Sequence, residues 1–496
     1  RKWFVVGEEE EKKMWLVVVA VVGVLVGWLW WELCGGKWRL RFRLPPGPWP
    51  VPLLGTLHLM DPDRPYQTVR DWAAEYGPIF TMWNGPRPAV VVTELELLRE
   101  AADRRGQHFL GRPTNPILDL FAGGRKGICR ASGQLWATHR RFVQEQLQQL
   151  EPEAETAVLD EVDKSVRFLR AKKGTRDADL LKELHLIATN VLWRLTAGRS
   201  FERDSSGLQR FQTVLRGTRE VWELPQAFLF SAFPGRCEIG PLRSLLGWAA
   251  VEERATELWA FLDEELAEAG GRWEARPADQ SCLLHRLFAE QRRRGAEAET
   301  EPVSPGQIRA LAADLATSGV ETVAQSLAWA VLFLLQRPEV EERCQREIGQ
   351  QVGRKRQVRL ADRPRLPFVQ ATVAEAQRLG NILPLNGFRC AATDGLKLGG
   401  FDVPAGVPLY LEFSAPMAAA AHFAEPEQFR PERFLQGPSP PGHLPITQGP
   451  PAKPDAVNAA TYKAHLDAFK SLNDRLCAFP MAGEASRCVT DVWDST

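Results

Sequence analysis

The sequence predicts a mainly α-helical protein with a small β region, preceded by a single N-terminal transmembrane helix. Three observations carry that expectation. Met14–Trp31 is a run of 18 residues without a charge, about the minimum that crosses a bilayer core at ~1.5 Å per residue. From about Glu94 to Leu379 the apolar residues recur mainly at helical spacing, with few strand-like runs. Beyond Leu383 the texture changes to short strands and turns, as in GGFDVPAGVPLYLEF, Gly399–Phe413.

Taken in order, the uncharged run has Trp15 near one end and Trp28, Trp30 and Trp31 near the other, where an interfacial aromatic belt belongs. Glu32, Leu33 and Cys34 follow it without a small-residue cleavage pattern, which favours a retained anchor over a signal peptide. Arg1, Lys2, Lys12 and Lys13 precede the run and Lys37, Arg39, Arg41 and Arg43 follow it, so charge alone leaves the orientation tied. The proline-rich LPPGPWPVPLLG, Leu44–Gly55, forces extended, stiff backbone and reads as a rigid spacer that lifts a soluble body off the membrane. Gly77–Thr93 reads as a hairpin with a Gly-Pro turn.

The clearest helix starts at Ser304. That residue suits the N-cap, Pro305 the first helical position, and Gln307 an S-x-x-Q capping box. Nothing breaks the pattern before Pro338, so a rod of roughly 45 Å should run through the core. The organisation expected is an anchor and basic stretch over 1–43, a folded body over 44–435, and a linker and divergent tail over 436–496.

Composition narrows the function classes. Acidic and basic residues balance at 62 each, which gives no electrostatic argument for a nucleic-acid partner. The eight cysteines are scattered without a C-x-x-C pair, and the eight histidines lack metal-binding spacing. That pattern fits reduced thiols in a cytosol-facing protein.

Several short patterns could carry chemistry. Ser318-Gly319-Val320-Glu321-Thr322 sets polar residues and a glycine inside an apolar helix. Such a stretch either opens the helix and presents an acid and a hydroxyl to a pocket, or is a kinked core helix with a solvent-facing glutamate. Glu375 and Arg378 form an i,i+3 pair, but Glu96–Arg99 and Glu290–Arg293 share that spacing, and such pairs are usually solvated. Trp136 and Arg140 lie one helical turn apart, able to meet one anionic ligand; Trp83 and Arg87 have the same spacing across a turn.

The succession of membrane span, proline stretch, W-x-x-x-R, G-x-E-T in a long helix, E-x-x-R and PERF resembles the cytochrome P450 family in its microsomal, membrane-anchored branch. PPGPWPVPLLG, GQLWATHRRF, SGVETVAQSLAWAVLFLLQRPEV, LPFVQATVAEAQRL and FRPERF all read like that family's segments. The resemblance runs from about Leu44 to Leu435 and implies a P450-like fold. It implies that Trp136, Arg140 and Arg389 bind haem propionates, as charge-assisted bonds to buried anions would. Glu375, Arg378 and Arg433 would form a buried charge network, and Glu321 and Thr322 would organise water and deliver protons. Asp314 and apolar residues near Gly319 are expected to face the pocket. The implied reaction is insertion of one oxygen atom from O2 into an apolar small molecule. Electrons would come from NADPH through a membrane-bound reductase, at the endoplasmic reticulum with the catalytic domain facing the cytosol.

The family's iron ligand is a cysteine in F-x-x-G-x-R-x-C-x-G, a short loop after PERF. Here Gln436–Pro454 holds seven prolines and three glycines instead. Cys477 keeps Arg475 two residues before it, but Lys470, Asn473 and Phe479 replace the motif's phenylalanine and glycines. Cys488 has Arg487 one residue too close. Residue by residue, both fit coil or surface better, and Cys477 is the candidate ligand. The alternative to an oxygenase is therefore a truncated or non-catalytic P450-like membrane protein that cannot bind haem through a cysteine.

Overall fold

Ten helices of twelve residues or more carry the architecture among the described residues: α1 (Pro65–Tyr76), α2 (Gly133–Gln149), α3 (Glu151–Ala171), α4 (Leu180–Ala197), α5 (Ser206–Glu223), α6 (Trp248–Ala275), α7 (Leu283–Arg294), α8 (Pro305–Gln336), α9 (Pro338–Gln351) and α10 (Pro367–Gly380). The computed structural model describes residues 44–51, 53–61, 65–172, 179–223, 227–234, 247–295 and 303–435, with Arg243 and five residues near the N-terminus. Those five, Val19, Val22, Gly23, Val26 and Gly27, are helical. The rest of the expected membrane span, and the tail 436–496 with Cys477 and Cys488, lie outside the described residues.

Two small sheets complete the fold: a four-stranded sheet in the order β1 (Ile79–Asn84), β2 (Arg87–Val92), β6 (Pro408–Glu412), β3 (Leu385–Cys390), and a two-stranded pair of β4 (Leu396–Leu398) and β5 (Phe401–Val403). The molecule is mainly helical with a small β region, and the Gly77–Thr93 hairpin forms as β1 and β2 in antiparallel register. Its turn needs Gly85 at φ +58°. β6 then pairs parallel with β2, which ties the C-terminal strands to the N-terminal hairpin.

α8 is the central rod. Ser304 Oγ accepts from the Gln307 amide at 3.3 Å, Pro305 fills the first position, and the helix ends just before Pro338, which starts α9. The capping box is only half formed. Gln307 turns its side-chain oxygen to the Gly127 amide (2.9 Å) instead of back to Ser304, because that loop amide is buried and needs an acceptor. Among the described residues α8 is also the helix long and apolar enough to cross a membrane. It lies within the body all the same, in the large core cluster shared with α4, α9 and α10.

The proline-rich stretch departs from the spacer expected of it. The amide and hydroxyl of Thr81 on β1 donate to the carbonyls of Pro46 and Pro45, both at 2.8 Å, and Leu44, Pro45, Gly47 and Pro48 are buried. Proline lacks an amide but keeps a full acceptor, so a stiff extended segment can dock along a strand through its carbonyls alone. The folded body begins by Leu44.

Candidate functional site

α8 is not uniformly buried. Ser318 and Gln325 are exposed and Thr322 half-buried in the middle of a helix whose first turns are closed. These positions share one face, so the core opens along that stripe. The helix is continuous through it. Gly319 serves packing and not an opened turn: a Cβ there would lie 2.8 Å from Leu192 Cδ2, so α4 makes the close approach. Thr322 Oγ1 donates to the Ser318 carbonyl at 2.8 Å. Glu321 meets His185 Nε2 of α4 at 3.4 Å, Gln325 Nε2 at 2.8 Å and Arg219 of α5 at 3.9 Å. The hydrogen bond to His185 holds the Glu321 carboxyl below its ordinary range, and the same bond raises the imidazole.

Asp314, one turn earlier, does not present its carboxylate openly to the pocket. Its Oδ2 accepts the amides of Ile128 (2.6 Å) and Cys129 (3.0 Å), so a loop is clamped over it. Gly127 makes the clamp possible: its φ is +70°, and a Cβ would lie 2.2 Å from that oxygen. Burial pushes the Asp314 carboxyl up to about 6.

Trp136 and Arg140 meet on α2. The Arg140 guanidinium lies 5.2 Å from the Trp136 ring, and Arg112 lies 5.9 Å from the same ring. The indole N–H is taken by the Ile128 carbonyl at 3.1 Å, whereas Arg140 Nε is buried with no hydrogen-bond partner. Burial lowers both guanidinium pKa values, and the Arg140 charge adds to the effect on Arg112. Two partly desolvated guanidiniums beside one indole can attract an anion. Arg389 is half-buried on β3, beside a register irregularity between Asn386 and Arg389 of the kind that re-aims a side chain.

Glu375, Arg378 and Arg433 are brought together. Arg378 Nε and Nη2 donate to the two Glu375 oxygens at 2.7 and 2.9 Å, and Arg433 Nε adds a bond at 3.0 Å. The Arg430 amide donates to the same carboxylate at 2.9 Å. The remaining guanidinium donors hold carbonyls of Met417, Ala424, Glu425 and Gln428, and Phe423 lies under both arginines. Glu96–Arg99 and Glu290–Arg293 make the same i,i+3 contact at 3.1 and 2.6 Å, but each leaves one partner, Glu96 and Arg293, exposed. Burial separates them: the Glu375 side chain is 0% exposed.

The four described cysteines have other uses. Cys282 and Cys344 are closed into the core, where burial pushes their thiols up to about 11 and about 12. Burial also raises the Cys390 thiol, whereas Cys129 is exposed.

The family model for cytochrome P450 matches residues 45–450. The chain belongs to the cytochrome P450 family. This P450 is 27% identical to cytochrome P450 2J5 of Mus musculus over 398 residues, 79% of this chain and 77% of the relative. It is 28% identical to the probable cytochrome P450 CYP36A1 of Caenorhabditis elegans over 426 residues, 85% and 84% of the two chains. Identity to trans-cinnamate 4-monooxygenase of Vigna radiata var. radiata is 28% over 443 residues, 86% and 83% of the two chains. A solved zebrafish cytochrome P450 with progesterone superposes with a TM-score of 0.70 at 28% identity, covering 82% of this chain and 92% of that one.

The residues present fit the propionate side of a haem. The buried, unpartnered Arg140 Nε beside Arg112 is what a propionate would complete. Arg112 and the Asp314 clamp escaped the sequence reading. A signal existed: from Arg105 to Arg141 inclusive the chain holds seven Lys or Arg residues and one acid, Asp119.

Proposed function

We propose that this P450 is a haem-thiolate monooxygenase that transfers one oxygen atom from O2 to an apolar small molecule. The observation that carries the proposal is the half-buried cation pair Arg112–Arg140 at the Trp136 ring, with Arg140 Nε buried and unpartnered, in a P450 chain. Haem, when bound, supplies the oxygen-activating chemistry. Arg140 and Arg389 would hold its propionates, and Arg112 would join them. Glu375 with Arg378 and Arg433 fastens the 417–433 segment to α10, which steadies the chain leading to residue 436. Glu321, kept ionised by its bond to His185, and Thr322 would organise water and relay protons at this stripe of the helix.

The proposal extends to electrons from an NADPH-dependent reductase and to residence on the endoplasmic reticulum membrane, with 1–43 as anchor and 44–435 as the haem domain. The iron ligand would be Cys477. A second reading has its own support: Gln436–Pro454, where the family's cysteine motif is expected, holds prolines and glycines instead. In that reading the chain is a non-catalytic P450-like protein. Reduction and carbon monoxide addition to the full chain decide between them. The red-shifted Soret band of thiolate-bound haem supports the oxygenase and its loss in Cys477→Ser assigns the ligand; folded protein without that band overturns it.

A further inference from the structure

His185 on α4 sets each ring nitrogen against a different kind of partner. Nδ1 lies 2.9 Å from the Leu181 carbonyl, one turn back on the same helix. A carbonyl only accepts, so Nδ1 carries hydrogen in the neutral ring as well as in the cation. That leaves Nε2, 3.4 Å from Glu321 Oε2 on α8, as the atom that gains and loses the proton. As imidazolium the ring donates from Nε2 to the carboxylate. As neutral imidazole it turns a bare lone pair toward an anionic oxygen, and attraction becomes repulsion. The contact between α4 and α8 therefore depends on one proton.

The groups around the ring favour its charged form. Glu321 faces it from α8 and Arg219 from α5, with Arg219 Nη1 3.9 Å from Glu321 Oε1. On α4 itself Lys182 is paired with Asp179. Against the rest of α4, Asp160 and Glu161 of α3 bond Arg194 and Asn190, Glu265 of α6 bonds Trp193 and Arg199, and His285 of α7 lies 3.4 Å from Asp279. The bond to Glu321 is the largest influence and raises the imidazole above its ordinary value, with burial and Arg219 opposing it. A raised imidazole is charged at and below ~6.5, so the contact holds there and is lost as pH rises through the ring's own value. Gln325 Nε2, 2.8 Å from Glu321 Oε1, does not titrate and stays with the carboxylate throughout. Once the ring is neutral, Glu321 keeps Gln325 and Arg219 but has no tie to α4.

We propose that His185 is the positioning residue for Glu321: its imidazolium fixes the carboxylate between α4 and α8, and loss of the Nε2 proton sets it loose. The inference rests on the oxygenase reading above for what the fixed carboxylate does, and deepens it by tying proton relay at Glu321 to the charge of one ring.

The test is a pH titration of the ring nitrogens by 15N NMR on the full chain in detergent micelles, with labelled histidine and His185→Leu to identify the signal. The ring is expected to titrate above ~6.5, with hydrogen on Nδ1 in its neutral form, and Glu321→Gln should move the titration to lower pH. A neutral form with hydrogen on Nε2, or a titration that Glu321→Gln leaves in place, overturns the proposal. Should Glu321→Gln fail to fold, Glu321→Asp replaces it, because a carboxylate one methylene shorter falls short of Nε2; no movement there overturns the proposal as well. NADPH-driven oxygen uptake by the haem-loaded chain with the reductase should fall as pH rises through the same value. In His185→Leu that fall should be absent and uptake low throughout; a fall that persists overturns the positioning role. The carbon monoxide spectrum separates the two ideas. A ring that responds to Glu321→Gln without a thiolate band keeps the contact and removes the oxygenase, and a band with an indifferent ring does the reverse.

Discussion

Glu375 and Glu96 have the same partner type at the same spacing, yet they are different physical objects. Around Glu375 two arginines and a backbone amide replace the water that burial removes, so loss of the carboxylate strands two buried guanidiniums. Glu375→Gln should cost about 3–5 kcal/mol in urea unfolding, and Glu96→Gln, whose carboxylate is exposed, less than about 1 kcal/mol. Equal effects would show that burial is not what gives the pair its strength. This difference was not legible in E-x-x-R, which occurs at all three sites. It depends on Arg433, 58 residues away, and on where the 417–433 segment lies. Gly319 teaches the same point from the other side. Its presence in α8 was visible, but its reason is Leu192 on another helix.

At the level of elements, local signals were reliable wherever the physics is local. The hairpin over β1 and β2 follows from β-formers around a turn that needs positive φ. The ends of α8 follow from Ser304, Pro305 and Pro338, which act through their own backbone. The proline-rich stretch shows where this fails. Stiffness is a local property and was read correctly, but docking depends on whether a strand offers donors in register, and Thr81 offers two. Gly47 records that docking, since a Cβ there would lie 2.1 Å from the Thr81 carbonyl oxygen. Gly47→Ala should therefore destabilise by about 1–3 kcal/mol, as overpacking against backbone does. An unchanged urea midpoint would mean that the segment detaches from β1 in solution.

Across the whole molecule, the cavity-side charges and the large core belong to one balance. A core that opens along Ser318, Thr322 and Gln325 and stores unneutralised arginines at its edge is short of contacts that a bound cofactor would provide. Haem at about a hundredfold its dissociation constant should stabilise the full chain by ~2.7 kcal/mol, seen as a rise in thermal midpoint. Arg140→Gln should need more haem for the same rise; equal dependence would remove Arg140 from the propionate site. The sequence by itself determined the helical class, the hairpin, the extent of the central rod and the family, because periodicity, capping and the order of motifs are properties of the chain read along its length. Tertiary packing decides which charges are buried, which glycines serve packing, and which arginines keep an open donor. Those depend on water being excluded by residues distant in sequence, and desolvation has no local pattern.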